Sequence, residues 1–153
     1  MKYRQTKLQR FNDLANAINQ IRKGEKVKRI GAKDGSIQTH SVISVDPKKL
    51  EHEVLADCLF WLHKYHVFYN RHDAGTFQND RGQWATYGII GSGDIHGMLK
   101  PNGRSFEIEC KRGSGGRLSI GQQQRMKDVR ATGALYFVVH GREELEYFMQ
   151  EYV

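Results

Sequence analysis

Apolar residues recur every three or four positions over residues 3–23. Leu8, Phe11, Leu14, Ile18 and Ile21 form one stripe, the period of an amphipathic helix, and Gly24 suits its C-terminal end. Residues 25–45 change character: Val27 and Ile30, the turn signal Lys33-Asp34-Gly35, then Ile37, Val42, Ile43 and Val45 predict a hairpin. Asp46 and Pro47 suit the N-cap and first turn of a helix. Its wide apolar face (Leu50, Val54, Leu55, Cys58, Leu59, Trp61, Leu62) runs to about Tyr65. Val67-Phe68-Tyr69 is a short strand. Residues 73–83, polar and turn-rich, read as a mobile loop, and Trp84 to Ile90 as a strand or an irregular approach to the glycine-rich bend at Gly91.

The segment from that bend to Lys111 carries the chemistry. Ser92-Gly93-Asp94-Ile95 opens one apolar run and Phe106 to Lys111 forms another, with Lys100-Pro101-Asn102-Gly103 as a turn between them. Folded as a hairpin, strand alternation puts Glu107, Glu109 and Lys111 on one face and Phe106, Ile108 and Cys110 on the other. A turn centred near Pro101 and Asn102 sets Asp94 opposite Glu109, to within one residue. Arg112 to Arg117 is a flexible, basic, glycine-rich loop. Ser119 caps a helix to about Thr132, with Gly133 after it. Ala134 to Val139 is a continuous apolar run, the pattern of a central buried strand, and Arg142 to Tyr152 forms a last short helix. From residue 47 the order is α-β-(β)-β-β-α-β-α, an α/β domain with a small mixed sheet flanked by helices. The boundary falls between an extension, residues 1–45, and a domain, residues 46–153.

Charge adds a partner to this picture. The net charge is +7, and residues 1–33 carry ten Lys and Arg against Asp13 and Glu25, whereas the remaining 120 residues hold 14 basic and 15 acidic side chains. The positive excess is thus confined to one segment, the distribution expected of a chain that meets a polyanion such as nucleic acid; a solvated basic helix has the same composition. Two cysteines, Cys58 and Cys110, make no disulfide framework. No apolar run approaches a membrane span, and the charged first residues lead into no apolar signal segment. The expectation is an intracellular, cytoplasmic protein with no membrane partner. No phosphate-binding glycine loop or dinucleotide fingerprint is present, so no nucleotide cofactor is expected.

Two carboxylates and an ammonium at one end of a hairpin have two readings. One is a cross-strand ion pair on the surface. The other is a divalent cation site, because two like charges that close are costly unless something positive lies between them. The glycine-rich bend at Gly91, Gly93 and Gly97, the basic loop after Lys111 and the three glutamines Gln122, Gln123 and Gln124 favour the second. His96 is close enough in sequence to reach Asp94, although a lone histidine is usually incidental. Trp84, in a polar stretch, is placed to stack on a base. Cys58, His63 and His66 lack the paired spacing of a zinc site.

The ordered set Gly91-Ser92-Gly93-Asp94-Ile95, Glu109-Cys110-Lys111 and Leu118-Ser119-Ile120-Gly121-Gln122 resembles the PD-(D/E)xK nuclease superfamily, and more narrowly its VRR-NUC (virus-type replication-repair nuclease) domain. Glu51 matches a glutamate of that family's first core helix, Arg71 with Gly75 its next element, and Gly133 a glycine before its last strand. The resemblance covers residues 50–150. Gly93 stands where the motif has proline. Glu53 lies two residues from Glu51, about 160° around an ideal helix, and Glu51 has the better register.

The resemblance implies a restriction-endonuclease-like core and a metal-dependent DNA endonuclease. Asp94, Glu109 and the Cys110 carbonyl would hold Mg²⁺ or Mn²⁺. Glu51 would hold a second ion or a bound water, Lys111 would position the nucleophile, and Gln122 would orient water or the helix end. Arg71, Arg112 and Arg117, with Lys7, Arg10, Lys28 and Arg29 of the extension, would hold the phosphate backbone. It also implies a homodimer acting on branched DNA such as a Holliday junction, in replication, recombination or repair, and a phage or prophage source. A non-catalytic nucleic-acid-binding module of the same fold and an RNA-processing nuclease are the alternatives.

Overall fold

A computed structural model describes residues 6–25 and 34–153. The chain divides into two compact units, residues 1–31 and 32–153. The described residues of the first unit contain one helix, α1 (Lys7–Arg22), closed at its start by a capping box in which the Thr6 hydroxyl and the Gln9 side chain each accept the other residue's backbone N–H. Gly24 follows its C-cap at φ 74°, the left-handed conformation that glycine adopts without a Cβ penalty. Leu8, Phe11, Leu14, Ile18 and Ile21 are exposed. Lys28 and Arg29 lie outside the described residues, as do the first arm of the expected hairpin and the side chain of Arg10.

The second unit is mixed α/β: a small mixed sheet flanked by helices. Its elements in order are β1 (Ile37–Gln38), α2 (Glu51–Lys64), β2 (Phe68–Arg71), β3 (Gly75–Gln78), β4 (Trp84–Tyr87), β5 (Ile95–Leu99), β6 (Arg104–Cys110), β7 (Arg117–Leu118), α3 (Ile120–Ala131), β8 (Leu135–Val139) and α4 (Arg142–Met149). The main sheet has the order β2-β5-β6-β8, with β8 parallel to β6 and the other pairs antiparallel. Val54, Cys58, Trp61 and Leu62 of α2 pack on Ile95, Leu99, Phe106, Ile108 and Cys110 of the central strands, together with Val139, Leu145 and Met149. The apolar alternation of β6 is what seats it in this core.

Three expectations are corrected. Residues 73–83 are not a loop: β3 and β4 form a hairpin around Asn79, whose side-chain oxygen accepts the N–H groups of Arg81 and Gln83 at 3.0 and 2.9 Å. An Asx-type turn with Gly82 at positive φ supplies the reversal. Asp46 does not cap α2. Its carboxylate accepts the Lys48 N–H at 2.9 Å in a local turn, and the helix starts at Glu51, with Glu53 reaching back to the Leu50 N–H at 2.8 Å. The strand of residues 134–139 is at the edge of the sheet, not its centre. It reads as continuously apolar because helices cover both its faces: Phe137 stacks on Phe148 of α4 at 5.3 Å, and Tyr136 is buried on the side that α3 covers. Ile37–Gln38, in the second arm of the expected hairpin, pairs with Arg117–Leu118.

That last pairing ties residues 36–45 to the second unit. The Arg117 guanidinium donates to the Ser36 hydroxyl and carbonyl at 2.8 and 2.7 Å. The buried pair His140 and Glu144 holds the same stretch, with the His140 ring bonded to the Thr39 hydroxyl and Glu144 accepting the Val42 N–H, both at 2.8 Å. The glycine-rich turn after Lys111 is likewise anchored, by a bond of 2.9 Å from the Gly113 N–H to the Lys49 carbonyl.

Candidate active site on the β5–β6 hairpin

The hairpin register pairs Ile95 with Ile108 and His96 with Glu107. Continued by one residue, it sets Asp94 opposite Glu109. The bend that delivers Asp94 is built on close approach. A Cβ at Gly91 would fall 2.2 Å from the Gly121 carbonyl oxygen, and one at Gly93 would fall 2.8 Å from that of Ile108. The Asp94 Oδ2 accepts the Cys110 N–H at 2.7 Å, and its own carbonyl accepts the His72 N–H at 2.8 Å.

Glu109 and Lys111 follow on the same face of β6 and are almost fully buried, at 2% and 6% exposure. The Glu109 Oε1 accepts the Lys111 ammonium at 2.7 Å and the Gln122 amide at 2.5 Å. Its Oε2 is buried with no hydrogen-bond partner. Burial, then the charge of Asp94, pushes the Glu109 carboxyl up to about 7, with Lys111 opposing. Burial also raises Asp94, and the Cys110 N–H opposes the rise. Gln122 is placed by its helix: Ser119 caps α3, and the Gln122 Oε1 accepts the Ser119 N–H at 2.9 Å while also lying 3.3 Å from the Lys111 ammonium.

Glu51 opens α2 and is exposed, yet its charge contributes to raising both Asp94 and Glu109. Glu53 is occupied at the Leu50 N–H, at the start of its own helix. Arg71, exposed and bridged to Asp73 at 3.3 Å, lowers Asp94 in turn. Cys110 presents only its main chain to the site, since its thiol is buried in the core beside Cys58. Arg112 is exposed, whereas the Arg117 guanidinium is engaged by Ser36. Lys7 lies in the first unit, on α1.

A second polar group shares this face. The Glu107 Oε2 accepts the Gly93 N–H at 3.1 Å, and the Arg125 Nε donates to both carboxylate oxygens at 3.1 and 3.3 Å. The His96 Nε2 lies 3.7 Å from Glu107 and is bonded to the Ser92 hydroxyl, and His72 stacks on His96 at 4.5 Å. Ser92 and Glu107 both approach the same ring nitrogen, so this is not a nucleophile-base-acid relay, which uses the two nitrogens separately. Gly93 donates a bond that the proline of the resembled motif, lacking an N–H, does not make. Glu107 is set aside in the sequence because the residue two positions on is Glu109, not a lysine. Arg125 has one sequence signal: it lies one helical turn after Gln122 and so shares its face.

Among the described residues no group of three or more His, Cys, Asp and Glu side chains is placed to enclose a metal ion. The pair Asp94 and Glu109 offers a different fit: two buried-facing carboxylates, one with an orphaned oxygen, leaving the remaining coordination to main chain and water. No helix among the described residues is long and apolar enough to cross a membrane. Comparison with protein-family models, with curated proteins and with solved structures finds no match for this chain.

Proposed function

We propose that the chain is a divalent-metal-dependent nuclease that hydrolyses phosphodiester bonds of DNA. The observation that carries this reading is the Glu109 Oε2, buried without a partner beside Asp94 while Lys111 and Gln122 engage the other oxygen. A buried, unsatisfied carboxylate oxygen is costly, and a cation with oxygen preference is the partner that satisfies it.

Asp94, Glu109 and the Cys110 carbonyl would hold Mg²⁺ or Mn²⁺, with Glu51 reaching it through water. When bound, the ion supplies a double positive charge that acidifies water and stabilises the charge gathering on phosphorus. The chain's own groups do the rest. Lys111 orients the attacking water and neutralises a non-bridging phosphate oxygen, the point where charge grows. Gln122 fixes the Glu109 carboxylate through its Oε1 and leaves Oε2 without a partner. Arg71, whose charge acts on Asp94, and Arg112, the exposed residue after Lys111, would take flanking phosphates, and Lys7, Arg10, Lys28, Arg29 and Arg117 would add further positive charge. The exposed stripe Phe11, Leu14, Ile18 and Ile21 has the three-four spacing of a helix-pairing seam and would supply the homodimer contact.

A second reading is a nucleic-acid-binding module without catalysis, favoured by the absence of a three-residue metal cluster among the described residues. The experiment that separates them is incubation of the purified chain with plasmid, linear duplex, branched DNA and RNA in Mg²⁺, Mn²⁺ or chelator. Metal-dependent cleavage that is lost in Asp94→Ala and Lys111→Ala supports the nuclease. Binding without cleavage under any metal supports the module, and cleavage confined to RNA redirects the substrate.

A further inference from the structure

We infer that Glu107, clamped by Arg125, is the positioning residue that sets the Asp94 carboxylate for a divalent cation; this rests on the metal-dependent reading above. Glu107 is itself closed to a metal. It is 5% exposed, its Oε2 accepts the Gly93 N–H at 3.1 Å, and Arg125 donates to both oxygens. Burying a second carboxylate two residues from Glu109 adds like charge to the face where charge is already costly. The feature it serves is the bend. Gly93 directly precedes Asp94, and with Gly91 it gives the segment more backbone freedom than any other residue type would. Bonds along the segment remove that freedom, among them the Gly93 N–H to Glu107, the Tyr136 hydroxyl to the Gly91 carbonyl at 3.3 Å, the Cys110 N–H to Asp94 at 2.7 Å and the His72 N–H to the Asp94 carbonyl at 2.8 Å. Only the first of these brings a charged side chain from outside the bend to its backbone.

The clamp also joins the two candidate ligands mechanically. Gln122 and Arg125 stand one turn apart on α3; the first grips Glu109 and the second grips Glu107. One helix face therefore sets Glu109 directly and Asp94 through Glu107 and Gly93. His96 completes the enclosure, lying 3.7 Å from Glu107 and bonded to the Ser92 hydroxyl within the same bend.

The test compares wild type with Glu107→Ala, Glu107→Gln and Arg125→Met, reading Mn²⁺ affinity by calorimetry, the Mn²⁺ concentration that half-saturates cleavage, and the melting temperature. Outer-shell partners of metal ligands typically change affinity about ten- to a hundredfold. Glu107→Ala is expected to weaken Mn²⁺ binding by that factor and to shift half-saturation equally. Glu107→Gln, which keeps an acceptor for the Gly93 N–H, is expected to recover most of the loss. Arg125→Met, at a partly exposed position, gives the same direction with a smaller shift, and serves if Glu107→Ala does not fold. Unchanged Mn²⁺ affinity in folded variants, with only the melting temperature lowered, overturns the inference and leaves the nuclease reading standing. A wild-type chain that neither binds Mn²⁺ nor cleaves overturns that reading, and the inference with it.

Discussion

Two glutamates one step apart on the same face of β6 meet opposite fates. Around Glu107 the structure is closed: a guanidinium and a backbone N–H occupy the carboxylate, and its affinity for protons falls. Around Glu109 it is open: one oxygen is held by Lys111 and Gln122, the other has no partner, and the carboxyl rises to about 7. Both are almost fully buried, and burial presses on both carboxyls. What separates them is what offsets it: the donors around Glu107 are complete, whereas Glu109 is left one short and is raised further by the charge of Asp94. A saturated acid is a structural part, and an acid kept short of a donor is poised to take one from outside. The same strand's other face, Phe106, Ile108 and Cys110, holds the hairpin in the core and so keeps this difference rigid.

The comparison breaks most readily at Lys111. Removing its ammonium takes away the positive partner of the open end, and Lys111→Ala is expected to lower the metal-saturated cleavage rate about a hundredfold or more. Single-turnover kinetics measure it. A rate within about threefold of wild type would remove Lys111 from the chemistry.

Gly93→Ala acts on the hinge between the two ends. Its Cβ would meet the Ile108 carbonyl oxygen at 2.8 Å, too close for the backbone to stay in place. Overpacking of this kind costs about 1–3 kcal/mol, read by urea denaturation, and cleavage should fall further than stability alone explains. An unchanged denaturation midpoint would show that the bend relaxes freely.

The pH dependence of stability sharpens the contrast. The folded-state carboxyl of Glu109 at about 7 lies above its ordinary value of 4.5. An acid with a raised folded value favours folding below its unfolded value, and that contribution is lost as pH rises through the folded one. Asp94 shifts in the same direction. In divalent-free buffer Glu109→Gln should therefore gain stability relative to wild type as pH rises from 4.5 to about 7. Glu107, shifted the other way, should give no such gain in Glu107→Gln. Denaturation at several pH values decides it, and parallel curves for wild type and Glu109→Gln would contradict the open end.

The smallest effect belongs to the surface. Arg112 is exposed beside Lys111, and Arg112→Ala is expected to weaken DNA binding evenly across sequences and to lower the salt slope by about one. Arg117→Ala should do less to that slope, because the Arg117 guanidinium already serves Ser36. Equal slopes for the two variants would show that this engagement is broken on binding.

Much of this site was legible along the chain because it is local. The turn at Pro101 and Asn102 fixes the count of residues on each arm, and the observed pairing of Ile95 with Ile108 puts Asp94 opposite Glu109 as that count requires. Strand alternation likewise separates the core face from the charged one. The Ser119 cap places Gln122 at the start of α3, one turn from its own N-cap. The closed end was not legible, because Arg125 and Glu107 meet across 18 positions of sequence and neither belongs to a spacing motif. The edge position of β8 escaped for a related reason. Burial by two helices produces the same apolar run as burial between two strands. The β3–β4 hairpin was hidden by a polar turn whose order comes from Asn79 bonding its own backbone rather than from apolar alternation.

The central claim is that Asp94 and Glu109 form a cation site completed from outside. Calorimetric titration of the whole chain with Mn²⁺ near neutral pH, in buffers of different ionisation enthalpy, tests it most directly. With the Glu109 carboxyl at about 7, a substantial fraction of it carries a proton that a metal must displace. Saturable binding with measurable proton release is expected, both abolished in Glu109→Gln. Absence of binding, or binding and proton release that persist unchanged in Glu109→Gln, would contradict it.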